Sequence, residues 1–277
     1  MASCAADSLA HWIAAGRVRI WRDEEAEIVR ARIRVVAIEI ATLRTNLAGI
    51  RERLERAASR TGRSADEITI VAVSKTFPAE AIRAAHALGL RHFGENRVQE
   101  FESKHATLGE LDATWHLIGH LQSNKARRAV QLFGAVDSVD SLSLAEKLNS
   151  ICAELAADHP ARLAVLIEVR LAPEDSKTGV VVEEIPALVE AALDLPHLEI
   201  RGFMAIPPYF EEPERVRPYF RRLRELRDEM HGRFVTGSSP LLRELSMGMS
   251  HDFEIAVEEG ATQIRVGTAL FGARAKA

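Results

Sequence analysis

The stretch "TIVAVSKTFPAEAIRAAHALG", residues 69–89, changes its hydrophobic period in mid-course. "TIVAV" is a short run of β-branched and small apolar residues, as a buried strand requires. "PAEAIRAAHALG" instead spaces its apolar residues three and four apart behind a proline, as an amphipathic helix does. The joint between them is "SKTF", with Lys75 where the strand ends. Strand, short polar turn and helix make one βα unit. The turn lacks the glycines that a doubly wound dinucleotide-binding sheet places after its first strand.

The same switch recurs along the chain. A long amphipathic helix is expected over about residues 25–60, and then the apolar runs "ITIVAVS", "LRHFG", "TWHLIG", "GAVDSV", "LAVLIEV", "EIRGFMAI", "RELSMG" and "TQIRVG" follow, with helical patterns between most neighbours. Eight parallel strands with intervening helices close into a barrel. The fold class is therefore read as α/β, a single (β/α)8 TIM barrel over residues 41–277. Residues 1–40 are read as an N-terminal extension, partly helical or loosely ordered. No repeat, low-complexity tract or linker divides the barrel.

Composition agrees and narrows the function classes. The 277 residues, 47% hydrophobic and 27% charged, suffice for one large core. A net charge of −4 with Lys and Arg scattered throughout offers no basic face to nucleic acid. Cys4 and Cys152 form neither a disulfide framework nor a metal-ligand spacing, and no stretch is apolar over the ~18 residues of a membrane span. A cytoplasmic protein without membrane or nucleic-acid partners is the expectation, with a monomer as the simplest state.

In a barrel the active site gathers at the C-terminal ends of the strands. Here those ends carry Lys75, then "GENRVQE", "GHLQSNK", "DSVDS", "APEDSKTG", "MAIPP", "SMGMSHD" and "GTALFG", so polar and glycine-rich turns share one face. Lys75 begins at the rim, where partial shielding lowers an ammonium pKa and frees an amine to attack aldehydes. A solvated lysine opening a helix reads the same way from position alone. "SMGMS" and "RVGTALFG" set glycine, serine and threonine at two strand-to-helix turns, the usual place for a phosphate in this fold. Amine and phosphate turn together suggest pyridoxal 5′-phosphate, with Arg265 in reach of the ring nitrogen, where it would weaken the electron sink.

The motifs "AVSKTFPAEAI", "HFGENRVQE", "WHLIGHLQSNK", "VDSVDS", "EDSKTG", "GFMAIPP" and "LSMGMSHDFEIAVEEGATQIRVGTALFGAR", over about residues 45–274, resemble those of the YggS/PROSC-type pyridoxal phosphate homeostasis family, itself similar to the barrel half of alanine racemase. The resemblance implies a Schiff base on Lys75, with Asn96 and Met204 beside the ring. It further implies Arg265 at the ring nitrogen, and Ser246, Gly267 and Thr268 on the phosphate. An ordinary core methionine would read like Met204. Arg170 and the first ~40 residues depart from the family pattern.

Other residues have plainer readings. His116 and His120 on a strand stand about 13 Å apart, which argues against a shared metal. Lys125 would attract a substrate carboxylate or simply start a helix. Glu95, Asp137 and Asp140 are strand-end acids that serve equally as caps. "PERVRPYFRRLRELRDEM" reads as a solvated helix face laced by i, i+4 charges.

Three functions compete. The resemblance implies a non-catalytic protein of intracellular pyridoxal phosphate homeostasis, with apo forms of cofactor-dependent enzymes as its partners. A racemase-like enzyme needs a second acid/base group, in the barrel-type racemases a tyrosine from a further β domain; this chain ends soon after "GTALFGAR", and its tyrosines, Tyr209 and Tyr219, lie near the helix after "MAIPP". A lysine-dependent aldolase would need a base near Lys75 and would be colourless.

Overall fold

The computed structural model describes residues 23–156, 162–172, 178–237 and 239–273, and the chain separates into two compact units, Met1–Thr42 and Leu43–Ala277. Of the extension expected over residues 1–40, residues 1–22 lie outside the described residues. Helix α1 (Asp23–Arg60) carries the chain from the first unit into the second.

In the second unit, strands and helices alternate: β1 (Thr69–Val73), α2 (Ala79–Ala87), β2 (His92–Glu95), α3 (Val98–Leu108), β3 (Thr114–Leu117), α4 (Ala126–Leu132), β4 (Ala135–Val139), α5 (Leu142–Glu154), β5 (Leu163–Arg170), β6 (Val180–Val181), α6 (Ile185–Leu193), β7 (Leu198–Met204), α7 (Arg217–Phe234), β8 (Glu244–Met249), α8 (Phe253–Glu258), β9 (Gln263–Val266) and α9 (Thr268–Phe271). All pairings are parallel, and the β1–β9 and β4–β5 ladders close the sheet. The eight strands expected from the sequence form this barrel. The short β6, which pairs only with Val169 and Arg170 at the end of β5, was not expected.

Strands covered on both faces read as continuous apolar runs, which is why every residue of β4 and all but the last of β5 are buried. Outward residues pack on the helices: Phe101 of α3 lies 4.5 Å from Trp115 and 4.9 Å from Phe133, with Phe93 5.2 Å from Trp115. Three residues of β2, β3 and β4, His92, His116 and Asp137, are polar instead, and burial obliges them to pair. His92 Nδ1 lies 3.0 Å from His116 Nε2, and His116 Nδ1 lies 3.0 Å from Asp137 Oδ2. Burial, and then the neighbouring His116, push His92 down to about 4, so its ring is neutral at physiological pH.

The helix face expected to be solvated is partly engaged. Arg217, Arg221 and Arg224, on successive turns of α7, donate to the buried Glu259 carboxylate at 3.2, 3.0 and 2.9 Å and so tie α7 to the end of α8.

Candidate functional site

A cavity of about 430 Å³ opens at the C-terminal ends of the strands. Lys75, Asn96, Arg265, Gly267 and Thr268 all stand on its wall. They come from three separate strand ends, those of β1, β2 and β9, so the closed sheet alone brings them together. Met204 and Ser246 are fully buried and do not line it.

Lys75 is held by its neighbours. The Ser74 amide donates to the Gly94 carbonyl at 3.0 Å, extending the β1–β2 ladder one residue beyond β1. Thr76 then turns the chain with φ +67°, a left-handed conformation costly for a β-branched residue, and its amide donates to the Glu100 carboxylate. Phe77 stacks on Phe271 with ring centroids 4.7 Å apart, which ties the Lys75 turn to the last turn of the barrel. Beneath lies an ion group: Lys104 Nζ donates to Glu95 Oε1 at 3.1 Å, Glu100 Oε1 at 3.0 Å and the Ser74 carbonyl at 3.2 Å, while the Ser74 hydroxyl donates to Glu95 at 2.7 Å. Burial pushes the Glu95 carboxyl above its ordinary value, with Lys104 and the Ser74 hydroxyl opposing.

On the next wall the chain after β3 passes so close to Asn96 that a side chain at Gly119 would put its Cβ 2.4 Å from the Asn96 carbonyl oxygen. Only glycine permits the approach that closes this side. Asp140 and His120 pair at 2.9 Å, and His120 also lines the cavity.

Arg265 forms part of the floor. One Nη donates to the Ser246 carbonyl at 2.7 Å and hydroxyl at 2.9 Å, the other to the Ala205 carbonyl at 2.9 Å. Among the described residues no carboxylate pairs with it. Burial lowers its pKa, with the charges of Asp137, Asp252 and Glu168 opposing, and a guanidinium so placed remains a donor. Ser246 thus supports the arginine from one layer below the cavity.

Ser250 stands where Ser246 was expected. The β8–β9 register shifts between Ser246 and Met249, and Gly248 adopts φ +87°. A Cβ there would lie 2.5 Å from that of Ala256, so the bend demands glycine. It carries Ser250 to the wall, where its hydroxyl accepts from the Gly267 amide at 3.4 Å and the Ala269 amide at 3.2 Å. Amides and hydroxyls converging here can hold a tetrahedral oxyanion.

Glu168 also lines the cavity and was missed. Its carboxyl accepts from the Thr178 hydroxyl at 2.9 Å, and burial pushes its pKa up. A charged residue inside "LAVLIEV" was the available signal. Arg170 ends β5 beside β6.

Residues 45–275 match the sequence profile of the alanine racemase N-terminal domain. The pyridoxal phosphate homeostasis protein of Aquifex aeolicus is 45% identical over 82% of this chain and 96% of its own. That of Escherichia coli K12 is 43% identical over 83% and 95%. The structure of PipY of Synechococcus elongatus with PLP bound is 43% identical, with a TM-score of 0.68 over 79% of this chain and 100% of that one. An alanine racemase of Clostridium difficile, 14% identical, shares the fold with a TM-score of 0.61 over 85% of this chain and 58% of its own.

Proposed function

Since the chain belongs to the alanine racemase N-terminal domain family, together with relatives named pyridoxal phosphate homeostasis protein, we propose that it binds pyridoxal 5′-phosphate and serves the homeostasis of that cofactor in the cell. The observation that carries the reading is one cavity wall joining a strand-end lysine, a buried guanidinium with neutral partners, and a turn of converging amides and hydroxyls. The residues present fit the group. When bound, it supplies an aldehyde able to condense with a primary amine.

Lys75 provides that amine. Its position is fixed by the Thr76 turn, the Phe77–Phe271 stack and the ion group below. Gly267, Thr268 and Ser250 would hold the phosphate, Ser250 in the part first assigned to Ser246. Arg265, braced by Ser246 and Ala205, would be the donor offered to the ring nitrogen, where a guanidinium would keep a proton off it. Asn96, on the cavity wall, would flank the group, while Met204, buried in the core and off that wall, would support the site only from behind.

The protein holds the cofactor and passes it to apo forms of dependent enzymes rather than transforming an amino acid. Among the described residues no tyrosine lines the cavity: Tyr209 is exposed outside it and Tyr219 belongs to α7. The test is an absorbance spectrum of purified protein and Lys75→Ala, before and after borohydride. A band near ~420 nm that reduction abolishes, with the added mass on Lys75 and no band in the variant, is expected. No band after adding the cofactor refutes the reading in favour of an aldolase. Racemisation of alanine by the loaded protein would favour the enzyme.

A further inference from the structure

A second hollow of about 430 Å³ adjoins the main cavity, between the start of α3 and the chain after β3. His120 stands on the wall of both. The rest of the second wall includes Arg97, Gln99, Gln122 and Lys125, and no carboxylate. Arg97 and Lys125 immediately precede α3 and α4, and neither caps its helix with its side chain. Among the described residues neither makes a salt bridge within 4.0 Å; Glu100, whose carboxyl feels the charge of Arg97, is bonded to Lys104 at 3.0 Å.

Two cations from separate loops thus stand on one concavity whose described lining holds no carboxylate, with amide side chains on the same wall. Like charges repel, and an anion seated between them relieves the repulsion. The planar fork of an arginine matches the paired oxygens of a carboxylate or phosphate, and a lysine adds a mobile point charge.

We propose that this hollow is an oxyanion subsite, receiving the carboxylate or phosphate of a small molecule that arrives beside the main cavity. The assignment stands on the second hollow alone and does not need the main cavity to hold pyridoxal phosphate.

The test is an NMR titration of the full chain, following the His120 imidazole resonance, assigned with His120→Gln, against inorganic phosphate and separately against acetate. A saturable shift is expected. Arg97→Ala and Lys125→Ala should each raise the half-saturating concentration at least tenfold without moving Tm, since neither side chain belongs to the core. Saturation by phosphate alone supports a phosphorylated ligand, and saturation by acetate supports a carboxylate. A linear response, or one unchanged in both variants, overturns the subsite. Repeating the titration on protein whose main cavity has been filled with pyridoxal phosphate and fixed by borohydride should leave the shift intact. Its disappearance there would place the anion in the main cavity and overturn the proposal. Failure of the cofactor reading would appear separately, as a missing absorbance band with the His120 shift unaffected.

Discussion

Lys104→Ala removes the cation from the ion group beneath Lys75. In the native protein the Glu95 side chain has no exposed surface, and its oxygens accept from Lys104 at 3.1 and 3.3 Å and from Ser74 at 2.7 Å. The truncation strands a buried carboxylate with one hydroxyl donor, and breaking a buried pair in this way costs about 3–5 kcal/mol. The Lys104 side chain is 13% exposed, so water enters the space it leaves and the lower figure applies, about 3 kcal/mol. For a barrel of this size that is a fall in Tm of roughly 6–12 °C. Adding Glu95→Gln removes the stranded charge and should recover about 2 kcal/mol. Burial already holds the Glu95 pKa above the unfolded value, and losing Lys104 raises it further. Between the two values the folded state binds the extra proton, so stability falls as pH rises through that window. The Lys104→Ala deficit should therefore be smaller at pH 5 than at pH 7.5. Urea unfolding followed by circular dichroism at both pH values measures all three variants. A double variant no more stable than Lys104→Ala, or a deficit that grows on acidification, would refute the buried-charge reasoning.

Gly248→Ala forces an L residue into φ +87° and sets its Cβ 2.5 Å from Ala256 Cβ and 2.9 Å from Phe253 Cα. A loss of about 2–4 kcal/mol is expected in the same unfolding assay, and an unchanged midpoint would contradict the need for glycine. Ser250→Ala takes the acceptor from the Gly267 and Ala269 amides; fluorescence titration should show pyridoxal phosphate bound roughly 5–20-fold more weakly, with stability nearly unchanged. Glu259→Gln should cost about 2 kcal/mol at pH 7 by leaving Arg217, Arg221 and Arg224 without their shared charge. Burial works to raise the Glu259 pKa, but hydrogen bonds from Arg221 and Arg217 hold it below its ordinary value. A depressed carboxyl stabilises above its unfolded pKa and loses that contribution as pH falls through the folded one. The gap between native protein and variant should then narrow as pH falls below the ordinary carboxyl value, and a constant gap would show that the charge is not responsible.

The barrel was legible because its strands announce themselves locally. "TIVAV" and "LAVLIEV" must be buried on both faces in a parallel sheet, and the helices between them keep a 3.6-residue period. Lys75, Arg265, Gly267 and Thr268 were legible from their strand ends and turns, and Asn96 through the family resemblance; all five line the cavity. β6 was not: two residues carry no period. Ser246 and Ser250 lie four apart in one turn, and strict alternation treats them alike. The bend at Gly248 breaks that alternation, sending one serine under Arg265 and the other to the wall. Glu168 and the His92–His116–Asp137 chain stand on strands that otherwise read as apolar, and their partners lie 10 to 24 residues away, on a neighbouring strand or, for Thr178, in the turn before β6.

By itself, then, the sequence determined the succession of strands and helices, the single face on which the polar turns gather, and the amine at the end of the first strand, because each depends on residues within one turn or one strand of each other. Closure of the sheet decided the rest. Only the β1–β9 ladder sets Val71 beside Arg265, and only the shifted β8–β9 register chooses Ser250 over Ser246. Arg97 and Lys125 share a hollow because two loops meet in space, a distance that no local period encodes.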